Sequence, residues 1–189
     1  MKGEKRWQGQ TAVVIGSGPS LTQADCALVE RSGLPTIAVN SAWQWALFCD
    51  VLYAGDLTWW VNYGPDVDIE VEKYTLSQNA AQVFGLKRHK SKLGNGYNSG
   101  MLGIEMAINF GADTVLMLGF DASVDNGLHF HGKHTKTANP DKVRCARWIG
   151  YFDKLADTYP KANIINCSRE SAILRFPRVD LEQALCEHG

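Results

Sequence analysis

Two short runs, TAVVI at Thr11–Ile15 and TVLML at Thr114–Leu118, carry only apolar or β-branched residues, and a glycine follows each. A strand with one face in water alternates apolar and polar residues. A run without that alternation is a strand covered on both faces, the habit of parallel sheets flanked by helices. "PTIAVN" supplies a second strand at Thr36–Asn40, "DVLYAGD" a third and "ANIINCS" a last inner one.

Between these strands the spacing becomes helical. Pro19-Ser20 suits the opening of a helix reaching about Arg31, and "SAWQWALF" and "LTWWVNYG" read as short helical pieces. Met101, Ile104, Ala107 and Ile108 recur at helical spacing, with Gly111 placed to end the helix. Asp141 to Tyr159 reads as an amphipathic helix, and "VDLEQALCEHG" as a terminal one. The pattern predicts an α/β fold: one Rossmann-like, doubly wound, mostly parallel sheet with helices on both faces. It predicts a single nucleotide-binding domain over residues 1–189. Residues 64–97 form an irregular, lid-like insertion in it, with a short strand near Ile69–Tyr74 and a helical piece near Ser77–Phe84.

In such sheets a ligand sits beyond the carboxyl ends of the strands, where the strand order reverses. The residues just past each strand are Gly16–Ser20, Asn40-Ser41, Gly55-Asp56, Gly119–Asp121 and Asn166–Ser168. They are small, amide, hydroxyl and carboxylate residues, the makings of a polar site at one sheet edge. In Gly16-Ser17-Gly18-Pro19-Ser20 the glycines permit close backbone approach, and a helix starting there would offer free N–H groups to an anion. The same residues also make a plain strand–helix turn capped by serine. The loop is neither a Walker A motif nor the dinucleotide G-x-G-x-x-G, because Leu21 stands where the last glycine belongs.

Asn98-Ser99-Gly100 is a second helix opening of the same kind. Together the two starts predict a grip on phosphate between Ser17–Ser20 and Asn98–Gly100. Asp56 and Asp121 each follow a strand and suit ribose hydroxyls, a metal or a base, while Asp56 also reads as a helix cap. "HFHGKH" brings His129, His131 and His134 within six residues. These imidazoles suit proton transfer or metal ligation. No H-E-x-x-H pattern and no carboxylate fixed nearby accompany them, so a zinc hydrolase is not expected and no metal is assigned; the same residues also make a plain polar surface loop.

The chain has 45% hydrophobic and 21% charged residues and a net charge of -1, a balance that argues against a broad basic surface for nucleic acid. "LKRHKSKLG" at Leu86–Gly94 is the local exception; it reads as a solvated segment or as a basic strap over a phosphorylated ligand. Five cysteines without a C-x-x-C pair fit neither a disulfide framework nor a thiolate zinc site. "MKGEKRWQGQ" lacks the apolar stretch of a signal peptide, and no apolar run approaches the roughly 20 residues of a membrane span, so a cytoplasmic location is expected. Several of the six tryptophans fall between Trp43 and Trp60, covering either core or a homo-oligomer interface.

The order of "GSGPSL", "AVNSAW", "NSGMLGIEMAINFGADTVLMLGFD", the histidine loop and "FPRVDLEQAL" resembles bacterial sialyltransferases of the lipooligosaccharide type. It is similar as well to archaeal-type hydroxymethylpterin pyrophosphokinases and to short phage-encoded proteins. The likeness covers about Thr11 to Asn166. It implies that Gly16, Ser17, Gly18, Ser20 and Asn40 contact a CMP-sugar donor, that Asn98, Ser99 and Gly100 bind its phosphate, and that one of His129, His131 and His134 is the base, His131 foremost. Ser17 stands where the sialyltransferases carry asparagine, and Tyr97 is the nearest counterpart of the tyrosines that assist phosphate departure. The implied activity is group transfer, foremost glycosyl transfer from a CMP-sugar-type donor to a small-molecule or glycan acceptor, with no required cofactor. The alternatives are pyrophosphoryl transfer from ATP with Mg2+, in which Asp56 and Asp121 weigh more, and a non-catalytic nucleotide-binding or sequestering protein of phage origin.

Overall fold

The computed structural model describes residues 5–94 and 98–188. Seven strands form one sheet: β1 (Thr11–Ile15), β2 (Thr36–Val39), β3 (Val51–Tyr53), β4 (Glu72–Thr75), β5 (Lys87–Arg88), β6 (Thr114–Leu118) and β7 (Asn163–Asn166). Their order is β5-β4-β3-β2-β1-β6-β7, and every pairing is parallel. The chain therefore steps outward from β1 to β5, returns across the sheet, and continues from β6 to β7 on the other side of β1. The order reverses between β1 and β6, whose register aligns Thr11 with Thr114 and Ile15 with Leu118.

Among the described residues six α-helices cover the sheet: α1 (Gln23–Ser32), α2 (Leu57–Tyr63), α3 (Gln78–Phe84), α4 (Ser99–Asn109), α5 (Lys142–Thr158) and α6 (Leu181–His188). Because strand side chains alternate in direction, the uninterrupted apolar runs feed two cores. Ala12 and Val14 of β1 pack with Met101, Ile104, Phe152 and Leu155 of α4 and α5. Val13 and Ile15 pack on the opposite face with Cys26 and Val29 of α1, Trp59 and Trp60 of α2, and Leu181 of α6. The fold is the α/β, Rossmann-like arrangement that the strand pattern predicts.

Two expectations need correction. Residues 64–94 are not a lid-like insertion: β4, α3 and β5 extend the main sheet by further strand–helix units. Within them the basic run is anchored, not a free strap. Lys87 and Arg88 form the edge strand, His89 donates its amide to the Thr75 carbonyl at 2.8 Å, and the Lys92 amide donates to buried Glu105 at 2.8 Å. Secondly, α1 begins at Gln23 and not at Pro19. Thr22 caps it in a reciprocal capping box with Asp25, which sequence reading overlooked in favour of the proline.

The four cysteines Cys26, Cys49, Cys145 and Cys167 are buried and free, and Cys186 is exposed and free. Among the described residues no helix is long and apolar enough to cross a membrane.

Candidate functional site

The loops that follow β1, β2 and β6 meet the start of α4 at the point where strand order reverses, and a cleft of about 130 Å³ opens between them. Gly16, Ser17, Gly18, Asn40, Asn98, Ser99, Gly100, Asp121 and His129 all line it. The sequence suggested these residues from five separate stretches of chain, and the topology collects them.

The glycines of the first loop serve strand approach. A Cβ on Gly16 would stand 2.7 Å from the Gly119 carbonyl oxygen, and one on Gly18 would overlap Asp121 Oδ1. The loop amides are turned inward: Gly16 donates to Leu118 and Gly18 to Gly119, and Ser20 donates to Asp121 Oδ2 at 3.0 Å. With α1 starting only at Gln23, the expected pair of helix starts gripping one anion is not built. Ser20 is not in the cleft wall; it holds Asp121 in place.

α4 does reach the cleft. Asn98 Oδ1 accepts the Met101 amide at 2.7 Å, the cap that sequence predicted. Ser99 Oγ accepts the Gly55 amide at 2.9 Å, pinning the loop after β3, and Gly100 is small because Phe120 lies over it. Asp56 stays outside the cleft and caps α2, accepting the Trp59 amide at 2.8 Å. Tyr97 lies outside the described residues.

Three polar atoms in this wall are buried without a partner: Asn40 Oδ1, Asp121 Oδ1 and His129 Nε2. Each is a hydrogen-bond acceptor at neutral pH, and an unsatisfied buried acceptor costs about 1–3 kcal/mol. Asn40 (φ 52°) and Ala122 (φ 50°), both in the wall, are also the only non-glycine residues at positive φ among those described. Such strain, of order 1–3 kcal/mol each, concentrates where function holds a backbone in place.

Burial pushes the Asp121 carboxyl upward, only partly offset by the hydrogen bonds from Ser20. Burial and the neighbouring imidazoles push His129 down to about 4, and burial likewise lowers His131 and His134, so all three rings are neutral at pH 7. Among the histidines His129 lines the cleft, whereas His131 and His134 are not among its lining residues. The expectation of His131 as base chose among three loop histidines, and a loop's path cannot be read from its residues.

Phe120, Trp148 and Phe152 form an apolar wall that sequence reading missed. Trp148 and Phe152 belong to α5, where their signal merges with ordinary helical amphipathicity. A wider concavity of about 320 Å³ lies at Asp25, Arg169, Arg178 and Asp180. Its cations are occupied: Arg169 pairs with Asp25 through two hydrogen bonds, and Arg178 donates to the Ser168 and Arg169 carbonyls. The unpartnered acceptors therefore single out the smaller cleft. Comparison with known protein families, curated proteins and solved structures finds no match to this chain.

Proposed function

We propose that this protein is a nucleotide-dependent group transferase whose donor lies in the cleft between the β1, β2 and β6 ends, with glycosyl transfer from a CMP-sugar-type donor as the chemistry. One observation carries the reading: Asn40 Oδ1, Asp121 Oδ1 and His129 Nε2 are three buried, unpartnered acceptors in one cleft wall. They call for a ligand rich in hydrogen-bond donors, and ribose hydroxyls and a nucleobase amino group are of that kind. Phe120, Trp148 and Phe152 offer apolar and aromatic surface to a base. The α4 start gives one phosphate the positive end of a helix dipole.

No lysine or arginine is among the described lining residues, and Asp56 is not one of them and caps α2 instead, which favours a donor with one phosphate over ATP with Mg2+. Proton transfer from the acceptor falls to Asp121 and His129, which line the cleft, rather than to His131. The likeness of the motifs to sialyltransferases points the same way.

Calorimetric titration with CMP, CDP, ATP and GTP, with and without Mg2+, tests the reading. CMP is expected to bind below millimolar and to lose about tenfold in affinity in Asn40→Ala, the worth of one hydrogen bond to a buried group. Absence of any nucleotide binding below millimolar, or Mg2+-dependent preference for ATP, would overturn it.

A further inference from the structure

His129, His131 and His134 converge on one point, with His129 also in the cleft lining. Their ring centroids are 5.0 Å apart for His129 and His131, 4.2 Å for His129 and His134, and 4.9 Å for His131 and His134. One nitrogen from each lies within 4.8 Å of those of the other two. Nε2 of His129 and Nε2 of His131 are both buried without a hydrogen-bond partner. Two of the three imidazoles thus bury a ring nitrogen that neither the protein nor water satisfies, a cost that a ligand between the rings would remove.

From these facts we infer that His129, His131 and His134 hold a borderline transition-metal dication, zinc foremost. The donor set is all nitrogen, which suits zinc, cobalt, nickel or copper and not the oxygen-seeking magnesium or calcium. Bonds of about 2.1 Å at tetrahedral angles put ligand nitrogens about 3.4 Å apart, so the rings need to close by little more than an ångström. The loop is built to hold them near that geometry. Gly132 at φ 86° turns the chain back, with its amide donating to the His129 carbonyl at 3.0 Å. Asn139 clamps His134 through two hydrogen bonds, of 2.7 and 3.0 Å, and Phe130 stacks on Trp45 at 4.0 Å.

The outer partners that orient metal-bound imidazoles are present as well. The His129 ring hydrogen-bonds the Ser17 backbone, and Tyr63 Oη lies 3.3 Å from His134 Nδ1, which leaves His134 Nε2 for the metal.

Three protein ligands leave a coordination position open, as in zinc sites that meet substrate. Because His129 also lines the cleft, the ion supplies the positive charge that the described lining residues lack. This last link rests on the proposed nucleotide site, whereas the metal site itself does not. With zinc bound, His129 Nε2 is a ligand and no longer an acceptor, so Asn40 Oδ1 and Asp121 Oδ1 are left to receive the nucleotide's donors and Asp121 remains as the proton acceptor in the cleft.

The test uses the full chain without a polyhistidine tag, stripped with a chelator and titrated calorimetrically with zinc, with magnesium as control. One zinc per chain and no magnesium binding are expected, and His131→Gln and His134→Gln should each weaken zinc by at least about tenfold, the loss typical of disturbing a metal's ligand shell. Cobalt(II) gives a second readout: intense visible bands of a tetrahedral nitrogen site, absent in both variants, should appear in the wild type. Zinc binding that is absent, or unchanged in both folded variants, overturns the site. Zinc binding with CMP affinity indifferent to it overturns only the link to phosphate. Zinc binding without any CMP binding overturns the nucleotide reading and leaves the metal site standing.

Discussion

The Ser20 amide donates to Asp121 Oδ2 at 3.0 Å, which leaves Asp121 Oδ1 buried and unpartnered beside Gly18. One carboxylate thus ties the first loop to the end of β6 with one oxygen and leaves the other unpartnered in the cleft wall. Asp121→Asn separates the two tasks. The amide oxygen still accepts from Ser20, but an NH2 group replaces the acceptor. Nucleotide affinity should fall about 10–100-fold, since hydrogen bonds to charged groups are worth about 1.5–3 kcal/mol.

The same substitution carries a pH signature. Burial raises the Asp121 pKa in the folded chain. A carboxyl raised on folding binds its proton more tightly in the native state, so its ionisation weakens stability as pH rises above the ordinary value of 3.8. Asp121→Asn should therefore match or exceed wild-type melting temperature at pH 7, with the difference vanishing toward pH 3.5. Thermal unfolding at both pH values checks this.

Gly18→Ala should do what Asp121→Asn does not. The new Cβ would overlap Asp121 Oδ1 and stand 2.7 Å from the Gly119 carbonyl oxygen, forcing the β1 and β6 loops apart. Overpacking of this kind costs about 1–3 kcal/mol. Urea unfolding should register that loss together with lost nucleotide binding.

Asp25 and Arg169 give a prediction of opposite sign. Burial alone would raise Asp25, but the hydrogen bonds from Arg169 and Thr22 and the Arg169 charge together hold it below its ordinary 3.8. A depressed carboxylate stabilises the fold above its unfolded pKa and loses that contribution as pH falls through the folded one. Arg169 is half exposed, so Arg169→Met should cost a modest 1–2 kcal/mol or about that at pH 7, and much less near pH 3, by denaturant unfolding at both.

Much of the fold was legible because some elements announce themselves. β1 and β6 match their expected bounds to the residue, since each is an unbroken apolar run stopped by a glycine. β5 was not legible: Lys87 and Arg88 carry no apolar signal and join the sheet only because β4 is already there. The α1 start was misplaced because Pro19-Ser20 imitates a first turn, although Thr22 and Asp25 carry the capping-box spacing. At the site, strand-end residues were readable as a set. Which histidine lined the cleft, and that Trp148 walled it, depended on how a loop and a helix pack.

The basic run around β5, from Lys87 to Lys90, should have no part in ligand binding. β5 stands four strand spacings from β1, about 19 Å, which exceeds the Debye length near physiological salt. Lys90→Glu should leave nucleotide affinity within about twofold of wild type at that ionic strength, measured by calorimetry.

A titration of 15N-labelled protein with CMP, followed by amide chemical shifts, reads directly whether the cleft is the binding site. Shifts are expected at Ser17, Asn40, Gly100 and Ala122, saturating together below millimolar CMP. Shifts confined to the concavity around Asp25, Arg169 and Arg178, or none at all at millimolar CMP, would contradict a nucleotide site at the β1–β6 reversal.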